Sequence, residues 1–229
     1  DNEKMIMLLN EYSTYKNTNC FLEKLDFINE NKKNKDINIH NKVISYHIDI
    51  INYLLDIHTN KLIELLPDYF FEVPASSTGK YHPAFSLGDG GLVRHTKAAV
   101  RIAYEFYNDE SITGCFNQDE KDLMIVGLIM HDGLKRGLQE ERYTRFDHPI
   151  LAGELVENSR GELTLTDEEV NLLVRMIKTH MGQWTTDRSG KEVLEKPKTK
   201  YERFVHMCDY LSAQKFLNVK FDTNNEIIL

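Results

Sequence analysis

Apolar residues recur every three or four positions along most of the sequence, and this spacing constrains the fold more than any other feature. It is typical of α-helices that bury one face. The clearest segments lie at about 43–66, 92–107, 119–133, 149–156, 167–179 and 200–216. We therefore predict an all-α fold, a helical bundle preceded by an N-terminal helical extension.

Helix boundary signals divide the chain into parts. Two short helices are expected at about 3–16 and 20–28, before a third N-terminal helix at about 43–66. Pro67 follows this third helix, and the loop from Asp68 to Gly91 is long enough to predict a functional role. We expect an N-terminal helical segment at 1–66, a main domain at 67–216 and a C-terminal tail at 217–229, which could contain a short strand.

Individual residues predict where helices begin. Asp119 is expected to cap the helix that ends at Gly133, and Pro149 suits a first helical position. Thr166 and Glu169 have the spacing of a capping box.

Charge and composition exclude some functions. The 229 residues carry a formal net charge of −8, which argues against wrapping long nucleic acid by bulk electrostatics. No apolar run reaches the 18 or more residues of a membrane span, and no signal-like arrangement opens the sequence. We expect a cytoplasmic protein with no membrane partner.

Histidines and aspartates stand at helix ends or on apolar helix faces in five places. They are His95, His131, Asp132, His148, His180 and Asp209. Taken singly, each inward histidine fits a core position. Taken together, imidazole and carboxylate groups that converge from several helices are typical of a metal site in a helical bundle. Such ligands suit Mn, Fe, Co, Ni, Zn or Mg without selecting one.

The order of these residues resembles the HD superfamily of metal-dependent phosphohydrolases, whose signature is a histidine, an adjacent His-Asp pair and a distant aspartate. The resemblance covers roughly 69–216. The sequence GGLVRHT around His95 is similar to the family's first histidine motif, and HDGLK from His131 resembles its HDxGK form with Gly and Leu exchanged. In layout the chain most resembles the HD domain of bacterial 3′-to-5′ exoribonucleases, within the subgroup that binds more than one metal, although no OB-like β domain precedes it.

The resemblance implies a role for each ligand. His95, His131 and Asp209 would hold a first divalent ion together with Asp132. The second oxygen of Asp132 could bridge to another ion, held by His148 and His180. One or two ions would clamp a phosphoryl group and lower the pKa of a water. Asp132 and Lys135 are the catalytic candidates, with Lys135 neutralising charge on the phosphate.

Four further residues are candidates for substrate binding. His82 could contact the substrate or a metal, Arg136 and Arg145 could bind phosphates, and Trp184 could stack on a base. Arg142 lies in the same basic cluster. The alternatives are that His82 is an ordinary loop histidine, that the arginines are solvated surface charges and that Trp184 only packs against its neighbours.

The resemblance implies an enzyme that cleaves a phosphodiester of a nucleotide, a cyclic nucleotide or a short oligonucleotide. A nucleotide monophosphatase or a deoxynucleoside triphosphate triphosphohydrolase of the same superfamily is the alternative within enzymes. A non-catalytic HD-like nucleotide-binding or signalling module is the alternative of another class. The N-terminal helices could form a homodimer.

Overall fold

The computed structural model describes residues 57–163, 165–225 and 227–228. Internal contacts divide the chain into two units, Asp1–Ile57 and His58–Leu229. Apart from Ile57, the described residues all belong to the second unit. The N-terminal helices, including their predicted part in dimerisation, lie outside the described residues except for the end of the third. The domain boundaries expected at 66–67 and 216–217 remain predictions.

The described residues are helical. The α-helices are α1 (Ile57–Glu64), α2 (Gly91–Tyr107), α3 (Glu110–Thr113), α4 (Gln118–Met130), α5 (His148–Asn158), α6 (Asp167–Thr179) and α7 (Lys200–Ser212). Short 3-10 helices lie at Asp68–Phe71, Ala84–Ser86 and Arg160–Glu162. No strand is present in this part of the chain, where isolated bridges join Thr186 to Glu192 and Phe221 to Ile227. The all-α prediction is confirmed.

The central helix is α4. All its residues from Leu123 to Met130 are buried, and it packs against α2, α6 and α7. A helix that is apolar on every side has to be surrounded by others, because any exposed face would leave apolar surface in water. The helices around α4 therefore meet near its C-terminal end.

Side-chain caps set the helix starts. The Asn117 side chain accepts a hydrogen bond from the Glu120 backbone N–H at 2.8 Å, and the Glu120 carboxylate accepts one from Asn117 N–H at 2.9 Å. This capping box makes Asn117 the N-cap of α4, two residues before Asp119, so the prediction of an Asp119 cap is wrong. The Thr166 and Glu169 capping box is present as predicted.

Two helices end earlier than predicted. The helix before the His-Asp pair ends at Met130 rather than Gly133. The last helix ends at Ser212 rather than at about Phe216, the last residue of the predicted apolar segment, which is 78% exposed. The Gln214 side chain donates to the Tyr210 carbonyl oxygen at 2.9 Å, which satisfies a group left open by the end of α7.

The loop before α2 is anchored to that helix. Gly90 N–H donates to the Glu72 carbonyl at 2.8 Å, and Leu92 N–H donates to that of Val73 at 2.9 Å. The C-terminal tail reaches the same helix, since the buried Lys97 ammonium donates to the Asn225 carbonyl at 3.0 Å. Among the described helices, none is both long and apolar enough to cross a bilayer.

Candidate metal centre

The six predicted metal ligands come together where the helices meet. His95 lies in the second turn of α2, His131 and Asp132 follow α4, and His148 begins α5. His180 follows α6, and Asp209 lies in the last turn of α7. All are buried except Asp209, whose side chain is 16% exposed. Asp209 is therefore the most exposed of the six side chains.

Three of these side chains form a close group. His95 Nε2 is 3.3 Å from His131 Nε2 and 3.0 Å from Asp209 Oδ1, and His131 Nε2 is 3.4 Å from that oxygen. Asp132 Oδ2 lies 3.5 Å and 3.4 Å from the same two nitrogens. Atoms bound to one ion at about 2.1 Å, and about 90° to 110° apart, are separated by about 3.0 to 3.4 Å. His95, His131 and Asp209 thus have the spacing that one divalent ion requires, and Asp132 Oδ2 lies beside the same two nitrogens.

The other oxygen of Asp132 faces a second group. Its Oδ1 is 2.9 Å from His148 Nε2 and 3.6 Å from His180 Nε2, while the two nitrogens are 3.3 Å apart. The carboxylate therefore stands between two pairs of histidines and offers a different oxygen to each pair.

Backbone carbonyls orient three of the four rings. The Nδ1 atoms of His131, His148 and His180 lie 2.6, 2.6 and 2.7 Å from carbonyl oxygens three residues earlier. A carbonyl can only accept, so each Nδ1 carries the hydrogen, and a neutral ring then has its lone pair on Nε2. All three lone pairs point into the group, as metal-binding histidines require.

A serine fixes the fourth ring in the same form. The buried Ser212 hydroxyl donates to the Asp209 carbonyl at 2.7 Å and lies 3.0 Å from His95 Nδ1. Its single hydrogen is used in the first bond, so His95 Nδ1 must donate to the hydroxyl oxygen. His95 thus also directs an Nε2 lone pair at the group.

These hydrogen bonds leave the Asp132 carboxylate without enough donors. Asp132 Oδ1 is buried and makes no hydrogen bond, although His148 Nε2 is close to it. A lone pair facing a carboxylate oxygen is repulsive, and a buried oxygen without a partner is costly. A cation between them removes both penalties, so the residues fit a metal ion. Two overlapping groups of ligand atoms lie close enough to hold an ion, His95–His131–Asp209 and His131–Asp132–His180, and His131 Nε2 can serve only one of them at a time.

The charges also favour cation binding. Burial alone would raise the pKa of Asp132, but Lys135 and His131 hold it well below its usual range. The Asp209 carboxylate is likewise held ionised, against the effect of burial, by His131 and His95. Burial would lower the pKa of His131, yet the two carboxylates raise it to about 10. The most basic position of the group is therefore His131 Nε2, where a metal ion must compete with a proton.

Lys135 and His82 lie at the edge of the group. The buried Lys135 ammonium forms an ion pair with Asp132 Oδ2. The His82 ring packs edge-on against His95, 4.9 Å between centroids, and its buried Nδ1 has no hydrogen-bond partner. Burial, followed by Lys135 and His95, lowers the pKa of His82 to about 2, so the ring is neutral.

The structure places the two candidate arginines in ion pairs. Arg136 pairs with Glu140, and Arg145 pairs with both Glu141 and Asp147. Contact with a phosphate would have to compete with these carboxylates. The backbone of Arg145 has a separate function, because its carbonyl is the acceptor for His148 Nδ1.

Trp184 belongs to an exposed aromatic group. It stacks on Tyr210, with centroids 5.8 Å apart and rings inclined by 24°, and His206 lies beside both. His206 Nδ1 donates to the His180 carbonyl at 2.7 Å, which joins this aromatic group to one of the predicted ligands. Sequence reasoning missed Tyr210 and Ser212. Ser212 could have been found by its place one turn after Asp209 on the inward face of a helix.

Comparisons with known proteins give no match to this chain among family models, curated proteins or solved structures. The resemblance to the HD superfamily therefore rests on the residues themselves.

Proposed function

We propose that the chain is a metal-dependent phosphohydrolase of the HD superfamily, with a centre that holds two divalent ions. The observation that carries the proposal is the position of Asp132. One oxygen faces the Nε2 lone pairs of His95 and His131, beside which Asp209 lies, and the other faces those of His148 and His180. An ordinary buried ion pair has no need of four histidines held in the tautomer that binds metals.

When bound, divalent ions would polarise a phosphoryl oxygen and lower the pKa of a water molecule. The protein supplies the rest. Lys135 places an ammonium beside Asp132, where it can neutralise charge that develops on a phosphate oxygen. The unpartnered Nδ1 of His82 can form a hydrogen bond with the substrate. Burial of the ligands excludes bulk water, which strengthens these interactions.

The proposed substrate is a phosphodiester of a nucleotide, a cyclic nucleotide or a short oligonucleotide. A net charge of −8 and the ion pairs of Arg136 and Arg145 oppose the binding of a long polyanion. Burial of five of the six predicted ligands favours a small substrate or a chain end. Hydrolysis of a nucleotide monophosphate or a deoxynucleoside triphosphate by the same centre is the second candidate.

The test is a product analysis. Metal-loaded protein is incubated with Mn²⁺ and bis-p-nitrophenyl phosphate, mononucleotides, cyclic nucleotides, dinucleotides and short single strands, and the products are separated. We expect diester cleavage that a chelator abolishes. Release of phosphate from monophosphates alone, or of triphosphate from deoxynucleoside triphosphates, would select the second candidate. Absence of turnover in protein that retains metal would identify a non-catalytic module and contradict the proposal.

A further inference from the structure

An exposed aromatic surface lies next to the metal centre and has no part in holding it. Trp184 is 45% exposed and Tyr210 is 40% exposed. Exposed aromatic rings that lie side by side leave apolar surface in water, and such patches mark binding sites more often than isolated exposed residues do. Since Tyr210 covers one side of the Trp184 ring, the exposed part of Trp184 faces away from Tyr210.

The surface is attached to the centre through two of the candidate ligands. His206, which lies 6.2 Å from Trp184 between ring centroids, donates to the carbonyl of His180. Tyr210 directly follows Asp209, the most exposed of the six side chains. The aromatic rings are thus connected to the centre through the backbone of His180 and Asp209.

The backbone is shaped to keep these rings in place. Gly182 has φ +64°, and a Cβ atom there would lie 2.1 Å from His206 Cε1. Only glycine allows this turn and this close approach. The segment from His180 to Trp184 is therefore held against the His206 side of α7.

We propose that Trp184, Tyr210 and His206 form a nucleobase-binding surface that positions a nucleotide whose phosphate lies at the metal centre. The inference rests on the proposed function, which puts the phosphate at the metal centre, and it adds a binding site for the nucleobase. A base stacks on exposed aromatic faces without requiring a particular sequence, and stacking provides affinity that does not depend on a basic surface. This fits a chain of net negative charge whose candidate arginines are paired.

The first test uses the fluorescence of Trp184, the only tryptophan of the chain. Adenosine 5′-monophosphate is added to metal-loaded protein, and the emission is read before turnover. We expect saturable quenching, whereas ribose 5-phosphate, which lacks the base, should leave the emission unchanged. Equal responses to the two compounds, or no response to either, would overturn the inference.

Variants separate stacking from general binding. Trp184→Ala should weaken adenosine 5′-monophosphate binding, measured by equilibrium dialysis, about tenfold, the loss typical of one stacked base. Tyr143→Ala is the matched control, since Tyr143 is 55% exposed but lies beside Arg142 and not in the stack. Identical affinities in the two variants would contradict the inference. Self-association of the protein that Trp184→Ala abolishes would instead identify a contact between copies and would also overturn it.

The second test distinguishes failure of this inference from failure of the hydrolase proposal. Thymidine 5′-(p-nitrophenyl phosphate) and methyl p-nitrophenyl phosphate share a leaving group, and only the first has a base. Trp184→Ala should raise KM about tenfold for the first and leave KM for the second unchanged. Hydrolysis of both esters with no difference between variant and wild type refutes the base-binding surface alone. Base-dependent quenching without hydrolysis of either ester refutes the hydrolase proposal alone.

Discussion

Removal of the Ser212 hydroxyl should weaken metal binding, although Ser212 does not face the metal position. The hydroxyl is the only hydrogen-bond acceptor that the described residues offer to His95 Nδ1. In Ser212→Ala the ring can place its hydrogen on Nε2 instead, where Asp209 Oδ1 is 3.0 Å away and accepts it. A metal ion would then have to displace that hydrogen before it could bind.

The size of the effect follows from burial. His95 and Ser212 are both fully buried, so water cannot replace the missing oxygen without rearrangement. A buried donor left unpaired costs about 1–3 kcal/mol. Loss of a group that orients a metal-binding histidine lowers metal affinity about 10- to 100-fold. Both scales indicate a loss of one to two powers of ten.

The assay is a competition titration of metal-free protein with Zn²⁺ or Mn²⁺ against a chromophoric chelator at constant pH. Ser159→Ala is the control, because Ser159 is also buried and donates to a helix carbonyl, that of Leu155, at 3.0 Å. Ser212→Thr retains the hydroxyl and should keep most of the affinity. Equal affinities for Ser212→Ala and Ser159→Ala would refute the reasoning, provided that denaturant unfolding shows both to be folded.

Three further predictions concern single residues. The pKa of His131 is raised to about 10, so a metal ion that binds this ring displaces a proton. Metal affinity measured by competition should therefore fall about tenfold for each pH unit below 9, and an affinity that does not change with pH would contradict this. Lys135→Met should lower kcat about 100-fold while metal affinity changes little, and an unchanged kcat would remove Lys135 from the mechanism. Gly182→Ala should lower the free energy of unfolding by about 1–3 kcal/mol more than Gly190→Ala, because both glycines have positive φ but only the first Cβ would meet the His206 ring. Similar denaturation midpoints for the two variants would show that the contact is absent.

Local signals in the sequence predicted the start of α6 but not that of α4, although a capping box sets both. Thr166 and Glu169 determine the start of α6 by their own hydrogen bonds, so their spacing was sufficient. The end of α7 was misplaced because apolar spacing continues to Phe216, whereas the Gln214 side chain satisfies the carbonyl of Tyr210 and the chain turns.

The convergence of the six predicted ligands could be expected from the sequence, whereas the contacts that orient their rings could not. Histidines on apolar helix faces are directed towards the core, because those faces pack together. Packing of the helices in a bundle then brings the histidines close to one another. The bond between His95 and Ser212 joins residues 117 positions apart. Such contacts, like the stack of Trp184 on Tyr210, depend on how whole helices pack, which spacing along one helix does not reveal.

The central claim is that Asp132 is shared by two metal positions, and the metal content of purified variants tests it most directly. Metal-loaded, desalted protein is analysed by mass spectrometry for bound ions per chain, with circular dichroism to verify folding. We predict two ions in the wild type and in His206→Ala, one in His180→Ala and none retained in folded Asp132→Ala. Absence of tightly bound metal in the wild type, or equal metal content in His180→Ala and Asp132→Ala, would contradict the claim.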